Sequence, residues 1–111
     1  MSENLQHCYR LFKIILEIKN KSARDYLLKN TYCDPVFRAL VELARNSQNL
    51  PLNREQKRKL KRHRKLLTEL VSAENKPIRK KKQLYIQSGG ALNILIPALA
   101  TIISSLINRN A

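Results

Sequence analysis

The chain has 111 residues, with 22 Lys and Arg against 8 Asp and Glu and a formal charge of +14. That length allows one small domain, or a smaller one with appendages, and leaves little room for a large buried active site. A cationic surplus of this size repels itself unless a polyanion or an acidic membrane surface meets it.

The surplus is concentrated. Residues 54 to 82 hold 13 basic and 3 acidic side chains, whereas residues 1 to 53 hold 8 and 5. Cys8 and Cys33 are the only cysteines, too few for the disulfide framework of a small secreted domain, so both are expected reduced. Leu11 to Ile18 is interrupted by Lys13 and Glu17 and lacks a small-residue cleavage site, so no secretory signal is expected there.

From Glu3 to Lys19, the positions Leu5, Cys8, Tyr9, Phe12, Ile15 and Leu16 recur at helical spacing and predict an amphipathic helix. Asn20-Lys21 breaks it. Ser22-Ala-Arg-Asp25 has the form of a capping box opening a short helix to about Lys29, with Tyr26, Leu27 and Tyr32 facing inward. Asp34-Pro35 reads as an N-cap and first helical residue, followed by Val36, Phe37, Leu40, Val41 and Ala44 on one face and an end near Asn46. Ser47 to Pro51 reads as a polar loop. Asn53 with Gln56 then offers a capping box for a long helix to about Ala73. No run alternates with the period of a strand.

That long helix is chemically split. Arg54 to Lys65 carries 8 basic residues in 12 with Leu60 alone apolar, while Leu66, Leu67, Leu70 and Val71 form a packing stripe in the second half. Residues 74–88 read as a mobile basic linker, because Asn75 to Gln83 is Pro-containing and charge-rich. The chain's two glycines, Gly89 and Gly90, then open an apolar tail and read as a hinge. The expectation is an all-α protein: a bundle of three to four helices over residues 1–73, the linker, and an apolar C-terminal helix over 89–111.

Within the tail, Asn93, Pro97, Thr101, Ser104, Ser105 and Asn108 fall within roughly 120° of arc at 3.6 residues per turn. Pro97 frees the carbonyl of Asn93 on that polar arc. The remaining arc is apolar, and Gly90 to Asn108 would span roughly 28 Å, marginally short of a bilayer core of about 30 Å. Leu92, Ile94, Leu95, Ile96, Leu99, Ile102, Ile103, Leu106 and Ile107 are therefore candidates for membrane or capsid contact. The competing reading is a core helix packed on the N-terminal helices.

The two basic clusters suit neutralisation of phosphates, which gives sequence-independent, salt-sensitive binding. The candidate phosphate-binding residues are Arg54, Lys57, Arg58, Lys59, Lys61, Arg62, Arg64 and Lys65 in the first cluster. Lys76, Arg79, Lys80, Lys81 and Lys82 form the second. A solvated helix face is the plainer alternative, but such faces normally mix both signs and this one contains only Glu55. Tyr85 is the sole aromatic after Phe37, which leaves no stacking platform for single strands, so duplex backbone is the better match. His7, Cys8 and Cys33 lack paired metal-ligand spacing. No nucleophile, base and oxyanion donor can be grouped and no Gly-rich phosphate loop exists, so neither an enzyme nor a cofactor is expected.

The junction Lys80-Lys-Lys-Gln-Leu-Tyr-Ile-Gln-Ser-Gly-Gly-Ala-Leu-Asn-Ile-Leu-Ile-Pro-Ala-Leu-Ala100 resembles the precursor of the adenovirus core protein mu, or protein X. In that family a very basic DNA-condensing segment precedes Gly-Gly and an apolar tail with an internal Pro. A wider stretch, from Asp34 through Leu50-Pro51-Leu52 and Gln56 to His63 and on to the tail, is similar to the small basic proteins of adintoviruses and Maverick/Polinton elements. The resemblance implies a virion-associated protein binding packaged double-stranded DNA, located in virion and host nucleus. It also makes Gly89-Gly90 a candidate cleavage site, although a cut after Gly90 places Gln87 where the family's protease takes a large aliphatic residue. The alternative function is a membrane-active or tail-anchored basic protein on an intracellular membrane, its Lys76 to Lys82 run binding anionic headgroups.

Overall fold

The structure, a computed structural model, describes residues 2–110, with side chains described for residues 2–102. Among the described residues seven α-helices follow one another: α1 (Glu3–Leu16), α2 (Lys21–Asn30), α3 (Asp34–Arg45), α4 (Arg54–Arg62), α5 (Arg64–Ser72), α6 (Ile78–Gln87) and α7 (Gly89–Asn110). One 3-10 turn, Ser47–Asn49, lies between α3 and α4. No strand occurs among the described residues. The protein is all-α, with more helices than the three to four that periodicity suggested.

Most helix starts follow from local chemistry. Ser2 caps α1, its hydroxyl accepting from the Leu5 N–H at 3.1 Å. Asn53 and Gln56 form the expected reciprocal box on α4: Asn53 Oδ1 accepts from Gln56 N at 2.8 Å, and Gln56 Oε1 accepts from Asn53 N at 3.0 Å. Caps of this kind contribute about 1 kcal/mol each. Two starts differ from expectation. Asn20, not Ser22, caps α2 by accepting from Ala23 N at 3.1 Å. Cys33 occupies the cap position of α3 without a side-chain bond. Asp34 therefore sits inside that helix, and its carboxylate pairs with Arg38 at 2.9 Å.

α3 is the central helix. Seven of its twelve residues are buried, including Val36, Phe37, Leu40, Val41 and Leu43. A helix this apolar must be covered on several sides, and α1, α5 and α6 all pack on it. α1 contributes Leu5, Cys8, Phe12 and Ile15, the face its sequence defined. α5 contributes Leu67 and Leu70. α2 presents Leu28 rather than Tyr26, which is 66% exposed. Leu50 and Ser47 are buried in the segment read as a polar loop, Ser47 Oγ donating to the Ala44 carbonyl at 2.9 Å.

Three expectations about the second half are corrected. The long helix of residues 53–73 breaks at His63 into α4 and α5. Most of the expected mobile linker is α6, whose Tyr85 is fully buried and whose hydroxyl lies 3.0 Å from Thr31 Oγ1. The glycine hinge is the helical first turn of α7, and no glycine takes a positive φ.

The tail is a core helix through its first three turns. Ala91, Leu92, Ile94, Leu95, Ile96, Ala98 and Leu99 are buried, while Asn93, Pro97 and Thr101 face outward as the polar stripe. The radius of gyration, 13.6 Å, is close to the roughly 13 Å expected of a single packed body of this length.

Candidate nucleic-acid interface

The first basic cluster stands on α4 and the first turn of α5. α4 has an outward arc of cations and a narrow inward face on which Gln56 and Leu60 are half-buried. No residue of α4 is fully buried, so the helix lies on the surface, anchored at one end by its capping box and at the other by α5 and α7. The second cluster runs from Lys76 in the α5–α6 turn to Lys82 in α6. α6 is held by Tyr85, by Leu84 and Ile86 packed on the core, and by edge contacts of Tyr32 with Tyr85 and Phe37, centroids 5.7 and 6.2 Å apart.

Eleven of the thirteen candidate cations are exposed: Arg54, Lys57, Arg58, Lys59, Lys61, Arg62, Arg64, Lys65, Lys76, Arg79 and Lys80. Lys81 and Lys82 are half-buried. Neutralisation inside the protein is slight. Among the described residues, Lys59 pairs with Glu55 at 3.5 Å and Lys81 approaches Asp34 at 3.9 Å. Glu74 pairs instead with Arg45 of α3, at 3.0 Å. Exposed pairs contribute about 0–1 kcal/mol and are screened by salt, so the clusters keep most of their field.

Lys81 is a special case. Its side chain is 15% exposed, and its ammonium lies 5.5 Å from the centroid of the Phe37 ring as well as near Asp34. It docks α6 on α3 and has little charge left for an external phosphate. Sequence reasoning placed it with the free cations because charge runs carry no mark of which member is folded inward. The spacing Lys81, Leu84, Tyr85, Ser88 was the signal, since these positions share one helical face.

Burial sets the few perturbed groups. The Tyr85 phenol is pushed above its ordinary range by desolvation, partly offset by the bond to Thr31 and reinforced by the Cys33 and Cys8 thiols. Tyr32 is raised by burial, then by Asp34 and Cys33. Cys8 is raised by burial and by Cys33. These shifts favour neutral forms, and none creates a nucleophile. Both cysteines are free. His7, Cys8 and Cys33 do not assemble: no group of His, Cys, Asp or Glu that could hold a metal occurs among the described residues.

The junction of the clusters with the tail is a packing site. A Cβ on Gly90 would stand 3.0 Å from His63 Cε1, and one on Gly89 would stand 3.5 Å from Leu28 Cδ1. Gly90 lets the α4–α5 break approach the first turn of α7, whereas a side-chain carbon at Gly89 would make an ordinary contact with α2. The chain bends by 70° between α6 and α7. At the bend, buried Ser88 satisfies its hydroxyl by donating to the Tyr85 carbonyl at 2.6 Å.

The residues expected at a membrane or capsid are placed otherwise. Leu92, Ile94, Leu95, Ile96 and Leu99 are buried against the protein's own core, and Ile102 is half-buried. Ile103, Leu106 and Ile107 lie outside the residues whose side chains are described. Among the described residues no single helix is long and apolar enough to cross a membrane, and only α6 and the start of α7 together, bent at 70°, reach the required length and composition. No family model, curated protein or solved structure matches the chain.

Proposed function

We propose that this is a virus-derived core protein that binds and condenses double-stranded DNA through backbone phosphates. The observation that carries the reading is the exposure of eleven cations on α4, α5 and the start of α6, with a single carboxylate, Glu55, paired to any of them. A rigid helical scaffold carrying unneutralised cations binds a polyanion without sequence preference, because phosphate contacts position and do not specify. The resemblance of the Lys80 to Ala100 stretch to the mu precursor supports the viral assignment. A cleavage at Gly89-Gly90 would have to follow local opening, since both residues are helical.

The alternative, a membrane-active protein, loses its insertion segment as long as the bundle is closed, because Leu92, Ile94, Leu95, Ile96 and Leu99 are already covered. Binding of anionic vesicles by the cations alone remains a distinct outcome of the test.

The test is duplex binding as a function of salt. If some eight phosphates are engaged, log affinity falls against log salt with a slope of about −7. Lys80→Ala is expected to lower that slope by about 1. Lys81→Ala should leave it nearly unchanged and lower thermal stability instead. An affinity indifferent to salt, or preferential binding to anionic vesicles over duplex DNA at equal salt, would sink the proposal.

A further inference from the structure

A groove of about 370 Å³ lies between the segment after α3 and the α4–α5 helices. Its floor is Leu50, Leu52, Leu60 and Leu67; its rim carries Lys57, Lys61 and Arg64, with no carboxylate among the lining residues. The cationic rim follows from phosphate binding, but the leucine floor does not. A DNA backbone has no use for an apolar floor, and two of the four leucines keep exposed surface in the trough. Leu52 and Leu60 are indeed only half-buried, whereas Leu50 and Leu67 are closed in.

The spacing of the cations selects the occupant. Lys57 and Lys61 stand one turn apart on α4, and Arg64 opens α5 beyond the break at His63, so the three cations are distributed along the groove rather than gathered at one point. A fatty acid or a single lipid headgroup presents its charge at one point and would engage one of them. A helix carrying several acidic side chains along its length, with large aliphatic residues on the adjoining face, engages more than one of them while burying apolar side chains on Leu52 and Leu60.

We infer that the groove between residues 47–52 and α4–α5 docks an acidic, leucine-bearing amphipathic helix of a partner protein. The docking itself does not rest on DNA binding, whereas the competition that follows rests on that reading. The two ligands share Lys57, Lys61 and Arg64 and so exclude one another there, which makes the partner helix a means of loading or releasing the protein from nucleic acid.

The probe is a synthetic helical peptide of about 15 residues with Glu at positions i, i+4 and i+7 and Leu on the neighbouring face. A control replaces each Leu by Ser, and sodium laurate is the single-charge competitor. The full chain is expected to bind the leucine peptide at least tenfold more tightly than the serine control. Leu52→Ser should erase that preference while leaving duplex affinity and the helical circular dichroism intact. Lys57→Glu with Lys61→Glu should abolish peptide binding. Leu60→Ser serves as a second probe of the floor if Leu52→Ser loosens the loop. Equal affinity for both peptides would reduce the contact to bare charge and overturn the inference. Laurate binding that Leu52→Ser abolishes, without peptide binding, would assign the groove to a lipid and overturn it as well.

Discussion

Tyr85 shows how a single residue converts a basic run into a folded element. It is fully buried, yet its hydroxyl is matched by Thr31 Oγ1 at 3.0 Å, and Thr31 also donates to the Leu27 carbonyl at 2.8 Å. Removing the phenol oxygen leaves Thr31 with a remaining partner, so Tyr85→Phe should cost about 0.5–1.5 kcal/mol at neutral pH. The alkaline behaviour is the sharper test. The folded phenol titrates above its ordinary value of 10.0, so the unfolded chain releases the proton first. Stability is then fully present below about pH 10 and is lost as pH rises from the unfolded toward the folded value. Lysine deprotonation acts in the opposite sense by relieving self-repulsion, so the comparison must be between variants. Urea midpoints at about pH 8 and pH 11 should fall further in the natural protein than in Tyr85→Phe. An identical drop in both would show that Tyr85 is not the responsible group, leaving Tyr32, also raised, as the next to replace.

At the scale of elements, the first turn of α7 tests whether Gly89-Gly90 acts as a joint or as a contact. Both glycines are helical, and alanine is intrinsically better in a helix by roughly 0.5–1 kcal/mol. Gly89→Ala meets Leu28 at an ordinary 3.5 Å and should raise the denaturation midpoint. Gly90→Ala forces the His63 ring to yield, since the new carbon would stand 3.0 Å from it, and should gain less. In a His63→Ala background the two substitutions should become equal. A hinge predicts the reverse, both alanines impairing function with no dependence on His63. The elements most legible in the sequence were those with a clean apolar face and a chemical start: α1, α3 and the Asn53–Gln56 box of α4. α6 was hidden because its docking face mixes a lysine stem, Leu84, a tyrosine and a serine rather than a run of aliphatics, so composition spoke for solvent while spacing spoke for a helix. The phosphate-binding candidates were legible from charge alone. The leucine groove beneath them was not, because Leu50, Leu52, Leu60 and Leu67 come from a loop and two helices that only the fold brings together.

For the whole molecule, the decisive question is what the apolar segment stabilises. An uncharged helix with a narrow polar stripe satisfies two descriptions equally, a membrane span and the most buried helix of a small bundle, because both environments reward the same side chains. The distinguishing fact is where the partner surfaces lie. Leu92, Leu95 and Leu99 are each at most 1% exposed, in the same core cluster as Phe12 and Ile15 of α1 and Phe37 and Leu40 of α3. α7 packs on α1, α4 and α6, so the inward faces of those helices would lose cover if it left. Burial of one large aliphatic side chain contributes roughly 1.5–3 kcal/mol, so losing three of them removes an amount comparable with a total stability of about 5–15 kcal/mol. Truncation before Gly89 should therefore abolish the cooperative thermal transition seen by circular dichroism. Duplex affinity should persist with a steep salt slope, since the cations of residues 54–82 remain on the chain whether or not it is folded. A truncated protein that keeps its cooperative transition would return α7 to the status of a detachable tail and reopen the membrane reading. Loss of both folding and DNA affinity would show that the helical presentation of the cations, and not their number, sets the binding.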